Sequence, residues 1–192
     1  MKSPEQIGKI EAVVLYILQQ FQEGLDYIKL FKIMYFAQRE YLALNGLCIV
    51  EDTFRARLNG PVPSLTYKVM KLAEAGIQSL DENSDLYHFV SSISVDSDKI
   101  VKAKVSPDMD YISSMEKEEL DKTINIYRNE SSKKLSKLSH DSAYKNVVKI
   151  MRDDPQKDVL TTIDIARAGG ASKKMINHIR ELQLIRYSLN AD

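Results

Sequence analysis

The residues able to do chemistry are few, and their spacing argues against it. The three histidines, His88, His140 and His178, stand far apart, with none of the short intervals of a metal-binding pair. Ser139-His140-Asp141 spells out a nucleophile, a base and an orienting carboxylate. Adjacent positions do not converge on one substrate as a triad requires, so Ser139 and Asp141 are better suited to local helix capping. Glu116, Glu118, Glu119 and Asp121 crowd the start of an expected helix, where carboxylates complement the dipole, and read as a solvated face rather than a metal cage. Asp96 and Asp98 flank a serine without the glycine and terminal glutamate of a calcium loop, which leaves a turn. Gly169-Gly170 follows an expected helix rather than a strand, and no Gly-Lys-Ser/Thr phosphate loop is present. Cys48 is the single cysteine; it excludes an internal disulfide or a cysteine-rich zinc site, has no basic neighbour in sequence and reads as buried or inert. The expectation is a non-enzyme with no catalytic residue, cofactor or metal.

Charge narrows the partners. Lys plus Arg and Asp plus Glu both number 27, so no net charge draws the chain to nucleic acid or an anionic membrane. The apolar run at residues 12–18 is far too short for a membrane span, and no secretory or lipidation signal is found, so the reading is a soluble, cytoplasmic protein. One local exception lies in the tail. Ile165-Ala166, Gly170-Ala171-Ser172, Ile176 and Ile179 resemble the helix-turn-helix pattern of bacterial regulators. Ser172, Lys173, Lys174 and Asn177 would then face DNA, the lysines on phosphates and Asn177 on a base edge. The favoured expectation is plainer: a terminal helical hairpin docked through Ile176, Ile179 and Leu182.

The elements that must position these residues are mostly helical, since seven glycines and five prolines leave few tight turns. Ser3-Pro4-Glu5-Gln6 predicts a capping box opening a helix that Gly24 stops. Asp26 caps a second helix running to Asn45-Gly46, apolar on most sides and therefore central. Ile49 to Asn59 reads as extended and runs into Gly60-Pro61-Val62-Pro63, a stiff loop that cannot be helical. Ser64 is the expected cap of a helix ending at Gly76, and residues 86–105 alternate as a β-hairpin around Asp96-Ser97-Asp98. Ser113 opens the next helix, 133–151 hold one or two more, and Gly169-Gly170 splits two short tail helices. The expected fold class is α+β, mostly helical, with helices around a long central one. A small antiparallel sheet would combine the 86–105 hairpin with the segment near 49–59. Residues 1–152 form the main domain and 153–192 a helical extension packed on it.

Residues 29–67 carry a family resemblance. Lys29-Leu30-Phe31-Lys32-Ile33-Met34-Tyr35-Phe36-Ala37, Asn45-Gly46, Phe54-Arg55-Ala56-Arg57-Leu58-Asn59-Gly60-Pro61-Val62-Pro63 and Tyr67 resemble the Panacea antitoxin domain, also described as SocA-like or phage-associated. Leu135-Ser136-Lys137-Leu138-Ser139-His140 resembles its later Leu-Ser-x-x-Ser/Thr-His element, which extends the likeness from about residue 9 to residue 150. The family often carries tryptophans where this chain has Arg57 and Tyr144. The resemblance implies a bacterial, often prophage-linked antitoxin that binds a cognate protein toxin, or an adaptor that delivers the toxin to a protease complex. On that footing Gly60, Pro61, Val62 and Pro63, with Arg57, Asn59 and Tyr67 beside them, are candidates for a partner-binding ridge. An alternative role for Gly-Pro-Val-Pro is to aim one helix onto the core. Lys29, Lys32, Tyr35, Phe36 and His140 are the family-motif residues. The first two and Tyr35 would pair with buried carboxylates or reach an interface, and His140 would make an internal hydrogen bond.

Overall fold

The computed structural model describes residues 2–77, 80–82 and 84–189, and it is α+β, mostly helical, as the sequence predicts. Helix α1 (Pro4–Gln19) opens on the expected capping box: Ser3 Oγ accepts from the Gln6 amide at 3.2 Å, and Gln6 Oε1 accepts from the Ser3 amide at 2.9 Å. It ends at Gln19, short of Gly24. Gly24 serves a different purpose, because a Cβ there would press on the Val101 carbonyl where strand β1 (Leu25–Asp26) joins its sheet. Helix α2 (Tyr27–Asn45) is capped by Asp26, whose Oδ1 accepts from the Lys29 amide at 3.0 Å, and stopped by Gly46 in the left-handed region. Every residue from Leu30 to Gln38 is buried, since other helices and a hairpin pack around it.

That hairpin is β2 (Phe54–Arg57) and β3 (Gly60–Pro63), so Gly-Pro-Val-Pro is a strand rather than a loop. Alternate pairs of an antiparallel ladder exchange hydrogen bonds. Pro61 and Pro63, two apart, share one set of alternate pairs, leaving Arg57 with Gly60 and Arg55 with Val62 to make the exchange. The hairpin does not join the second sheet as expected. The prolines present no N–H on the outer edge of β3, which packs against α2 with the Pro61 carbonyl accepting from Lys32. The other edge of β2 is taken by the tail, with the Ala56 amide donating to Asp158 O at 2.7 Å and the Leu160 amide to Phe54 O at 2.9 Å.

Helix α3 (Ser64–Ala75) follows directly. Its cap is not Ser64, whose Oγ donates to Thr53 O at 2.9 Å. Asp52 caps it from a distance, its two carboxylate oxygens accepting from the Leu65 and Thr66 amides, each at 2.9 Å. Residues 87–91 form helix α4 (Tyr87–Ser91) rather than a strand; Phe89 and Val90 are both buried, which strand alternation forbids. The second sheet therefore holds only β4 (Ile93–Val95) and β5 (Ile100–Ala103) beside β1, in the order β1-β5-β4. Asp96 organises the intervening turn by accepting from the Asp98 and Ile100 amides.

Helix α5 (Ser114–Tyr127) starts on the Ser113–Glu116 capping box. Its first turn is not the solvated face expected: Glu116 and Glu119 are buried, Glu116 by a 2.6 Å ion pair with Lys9 of α1. Helices α6 (Ser132–Leu138) and α7 (Ser142–Met151) follow, α7 capped by Asp141 as predicted. Ser139 caps nothing; it is fully buried and its Oγ donates to Ser136 O at 2.8 Å. The tail forms α8 (Thr162–Ala168), packed on α2 and α7, and α9 (Lys173–Leu189), longer than expected, whose Met175, His178 and Ile179 lie against Gly46.

Gly60 has a φ of +97°, and a Cβ there would strike Ser139 Oγ and sit 3.1 Å from Lys32 Cε. Gly60→Ala is expected to cost roughly 2–4 kcal/mol by combining backbone strain with overpacking. Urea denaturation with an unchanged midpoint would refute this.

Candidate partner-binding groove

Helical spacing puts Tyr27, Ile28, Phe31 and Lys32 along one side of the first turns of α2. They face the hairpin tip, Arg57 to Asn59, together with Val62 and with Tyr67 of α3, across a groove of about 380 Å³. The walls are mainly apolar. Tyr27 stacks on Phe31 with ring centroids 5.9 Å apart, and Tyr67 meets Phe31 edge-on at 6.1 Å. Leu58 at the tip is 89% exposed beside the partly exposed Tyr67, which puts two large side chains on the rim.

The tip is held from behind through its backbone. Tyr144 Oη donates to Arg57 O at 2.9 Å, Ser136 Oγ to Asn59 O at 3.0 Å and Lys32 Nζ to Pro61 O at 2.6 Å. Three alternate carbonyls are thus engaged by α7, α6 and α2 in turn. On the other side, Arg57 donates to Asp158 Oδ2 at 2.6 Å and Arg55 pairs with Asp158 Oδ1. Burial works to raise the Asp158 carboxyl, but the Arg57 and Arg55 hydrogen bonds outweigh it and hold the group below the usual carboxylate range.

Lys32, beside these mainly apolar walls, is 1% exposed. Of the two expectations, a buried carboxylate or an interface, the first is not met among the described residues, where the Pro61 carbonyl is its hydrogen-bond acceptor. Burial pushes its ammonium down to about 7. Tyr35 does meet a carboxylate: its hydroxyl donates to Asp141 Oδ2 at 2.9 Å, and burial together with that charge pushes its pKa up. Lys29 Nζ donates to the Arg128 carbonyl at 2.6 Å. Phe36 is wholly buried, its ring 4.5 Å from that of Tyr127. Tyr35 and Phe36 are therefore core residues rather than contact residues.

His140 stacks on Tyr144 with ring centroids 4.2 Å apart. Its Nε2 is buried without a hydrogen-bond partner among the described residues. Burial and the nearby Lys32 charge lower its pKa. Ser172 Oγ accepts from the Met175 amide at 3.1 Å, so it serves as a helix cap. Lys173, Lys174 and Asn177 are exposed on α9 and none of them lines the groove. His88, expected in a strand, lies in α4 with Nδ1 2.8 Å from Glu11 Oε1. Burial pushes the Cys48 thiol up. Among the described residues no cluster of His, Cys, Asp or Glu could hold a metal ion, and no helix is long and apolar enough to cross a membrane.

Sequence reasoning missed Tyr27, Ile28, Phe31 and Leu58 as groove residues. The apolar Leu58 in a two-residue turn was the available signal, since turns are normally polar. Asp158 carried none, being a lone acid a hundred residues from Arg57.

The sequence profile of the family described as "Antitoxin SocA-like, Panacea domain" matches residues 30–145, more than half of the chain, from the first turn of α2 into α7. No curated protein and no solved structure matches the chain.

Lys32 has a definite pH signature. Its pKa is lower folded (about 7) than the ordinary 10.5 of an unfolded chain, so between these values the unfolded chain holds the extra proton. Stability from this group therefore rises with pH across that window, by about 1.4 kcal/mol per pH unit. Lys32→Met should remove that slope in urea denaturation between about pH 7.5 and 9.5; an unaltered slope would contradict the assignment.

Proposed function

The chain belongs to the SocA-like antitoxin family with the Panacea domain, and from that premise we propose that it neutralises a cognate protein toxin by binding it, without catalysis, in the groove between α2 and the β2–β3 hairpin. The observation carrying this reading is the preformed apolar recess rimmed by exposed Leu58 and Tyr67. A tip whose carbonyls are already engaged loses little freedom on binding, so the interface energy is not consumed in ordering a loop. Aromatic and aliphatic anchors in such a recess are the usual source of binding energy between proteins. The balance of charge suits a partner recognised by shape. Handing the bound toxin to a protease complex is a downstream variant of the same binding step.

Co-expression with the product of the neighbouring gene should relieve that product's toxicity, and the two should co-purify. Leu58→Asp combined with Tyr67→Ala should weaken the complex at least about tenfold while leaving the circular dichroism spectrum intact. A harmless neighbour that never binds sinks the antitoxin role; undiminished binding by the double variant moves the interface elsewhere.

A second reading, DNA binding by α9, rests on the shared exposure of Lys173, Lys174 and Asn177. It predicts duplex binding that falls steeply with salt and is lost in Lys173→Glu with Lys174→Glu. Retention by that variant removes the tail as the reader.

A further inference from the structure

The balance of charge holds for the chain as a whole and fails along it. Residues 106–121 carry six Asp and Glu against one Lys, whereas residues 128–152 carry seven Lys and Arg against Glu130 and Asp141. Both of those acids are already engaged, Glu130 by Lys134 at 2.7 Å and Asp141 by Arg39 of α2 at 3.0 Å. That leaves Arg128, Lys133, Lys137, Lys145, Lys149 and Arg152, all exposed and none of them in an ion pair among the described residues. On α7 the buried Ala143, Tyr144 and Val147 mark the core side, and Lys145, Lys149 and Arg152, at i, i+4 and i+7, form one stripe on the opposite side. On α6, Lys133 and Lys137 stand one turn apart, turned away from buried Leu135 and Ser139. The two sets adjoin at His140, whose amide donates to Lys137 O at 3.2 Å and whose ring lies in the field of Lys145. Helix dipoles account for only some of these cations. Lys137 and Lys149 sit in last turns, where positive charge is favoured, but Lys133 and Lys145 lie in or next to first turns, where an acid would be the stabilising choice.

We infer that this face binds the sugar–phosphate backbone of a nucleic acid, with the α7 stripe lying along one strand. From Lys145 to Arg152 the helix rises about 10 Å, and over that length one strand of a duplex presents about three phosphates at roughly 3.4 Å each. Three cations thus meet three phosphates. Charge complementarity calls for an anionic partner, and composition selects phosphate among anions. Lysine is depleted in protein–protein interfaces, where arginine and aromatic rings supply the energy; four of the six free cations are lysines, and the α7 stripe holds no ring. An anionic membrane would need apolar residues beside the lysines, and Ala143, Tyr144 and Val147 are turned into the core. Contacts of this kind hold a nucleic acid without reading its bases. They use neither the groove nor α9, so they stand apart from both readings of the function.

The test titrates the full chain with a short DNA duplex, an RNA duplex and a single strand of arbitrary sequence, and in parallel with poly-glutamate and with phosphatidylserine vesicles. The imidazole signals of the three histidines are followed by NMR. At about 50 mM salt the nucleic acids should bind, with an affinity that falls as roughly the third to fifth power of salt concentration. The His140 signal should move while that of His178, one turn from Lys174 on α9, stays in place. Lys145→Glu with Lys149→Glu should weaken binding at least about tenfold and flatten the salt slope by about two. Lys173→Glu with Lys174→Glu, an equal change of net charge, should do neither. The nucleic acid bound most tightly identifies the source of the phosphates. No binding by any of the three overturns the inference, as does a loss equal in both variants or confined to the α9 one, or a moving His178 beside a still His140. Poly-glutamate bound as tightly as the nucleic acids overturns it in favour of an acidic protein, and preference for the vesicles does so in favour of a membrane.

Discussion

The Asp141 carboxylate orients the molecule. Helix α2 is buried from Leu30 to Gln38, and a helix apolar on nearly all sides gains about the same from burial at many rotations about its axis. Directional bonds remove that freedom. Asp141 accepts from Tyr35 Oη at 2.9 Å, from Arg39 at 3.0 Å and from the Tyr144 amide at 3.2 Å, which joins the middle of α2 to the start of α7. Such a carboxylate is tolerated in a partly buried site because a guanidinium and two further donors surround it. With Tyr35 held there, Phe31 and Tyr27 follow at one and two turns along the same face, and Lys32 comes under the hairpin. The groove is thus a consequence of how α2 is turned.

Local signals were legible wherever one short segment decides the outcome. The capping boxes at Ser3 and Ser113, the Asp26 and Asp141 caps and the Gly46 and Gly76 stops all depend on residues within a turn of one another. Long-range contacts escaped. Asp52 replaces Ser64 as the cap of α3 because it reaches the first free amides from outside the helix, and nothing in spacing marks it. Alternation in Tyr87, Phe89, Ile93 and Val95 suggested a strand, yet a five-residue helix buries Phe89 and Val90 together. The site divided in the same way. Arg57, Asn59, Val62 and Tyr67 were found through the family pattern, whereas the first turn of α2 required knowing which way that helix faces.

Lys32 and the tail show how distant segments complete the hairpin. Residues 158–160 lie along the free edge of β2, and Asp158 bridges both of its arginines. The tail is therefore part of the support on which the tip rests, while its own exposed face on α9 is left for other uses. Arg57 contributes an ion pair to that support from the tip.

Because the tip is gripped by its carbonyls at 57, 59 and 61 and by the Arg57 ion pair, the Leu58 and Val62 side chains are not what keeps it in place. Backbone oxygens are the same whatever residue carries them. Leu58 and Val62 can accordingly be exchanged without unseating the scaffold, with Gly60 as the fixed point around which that variation is permitted.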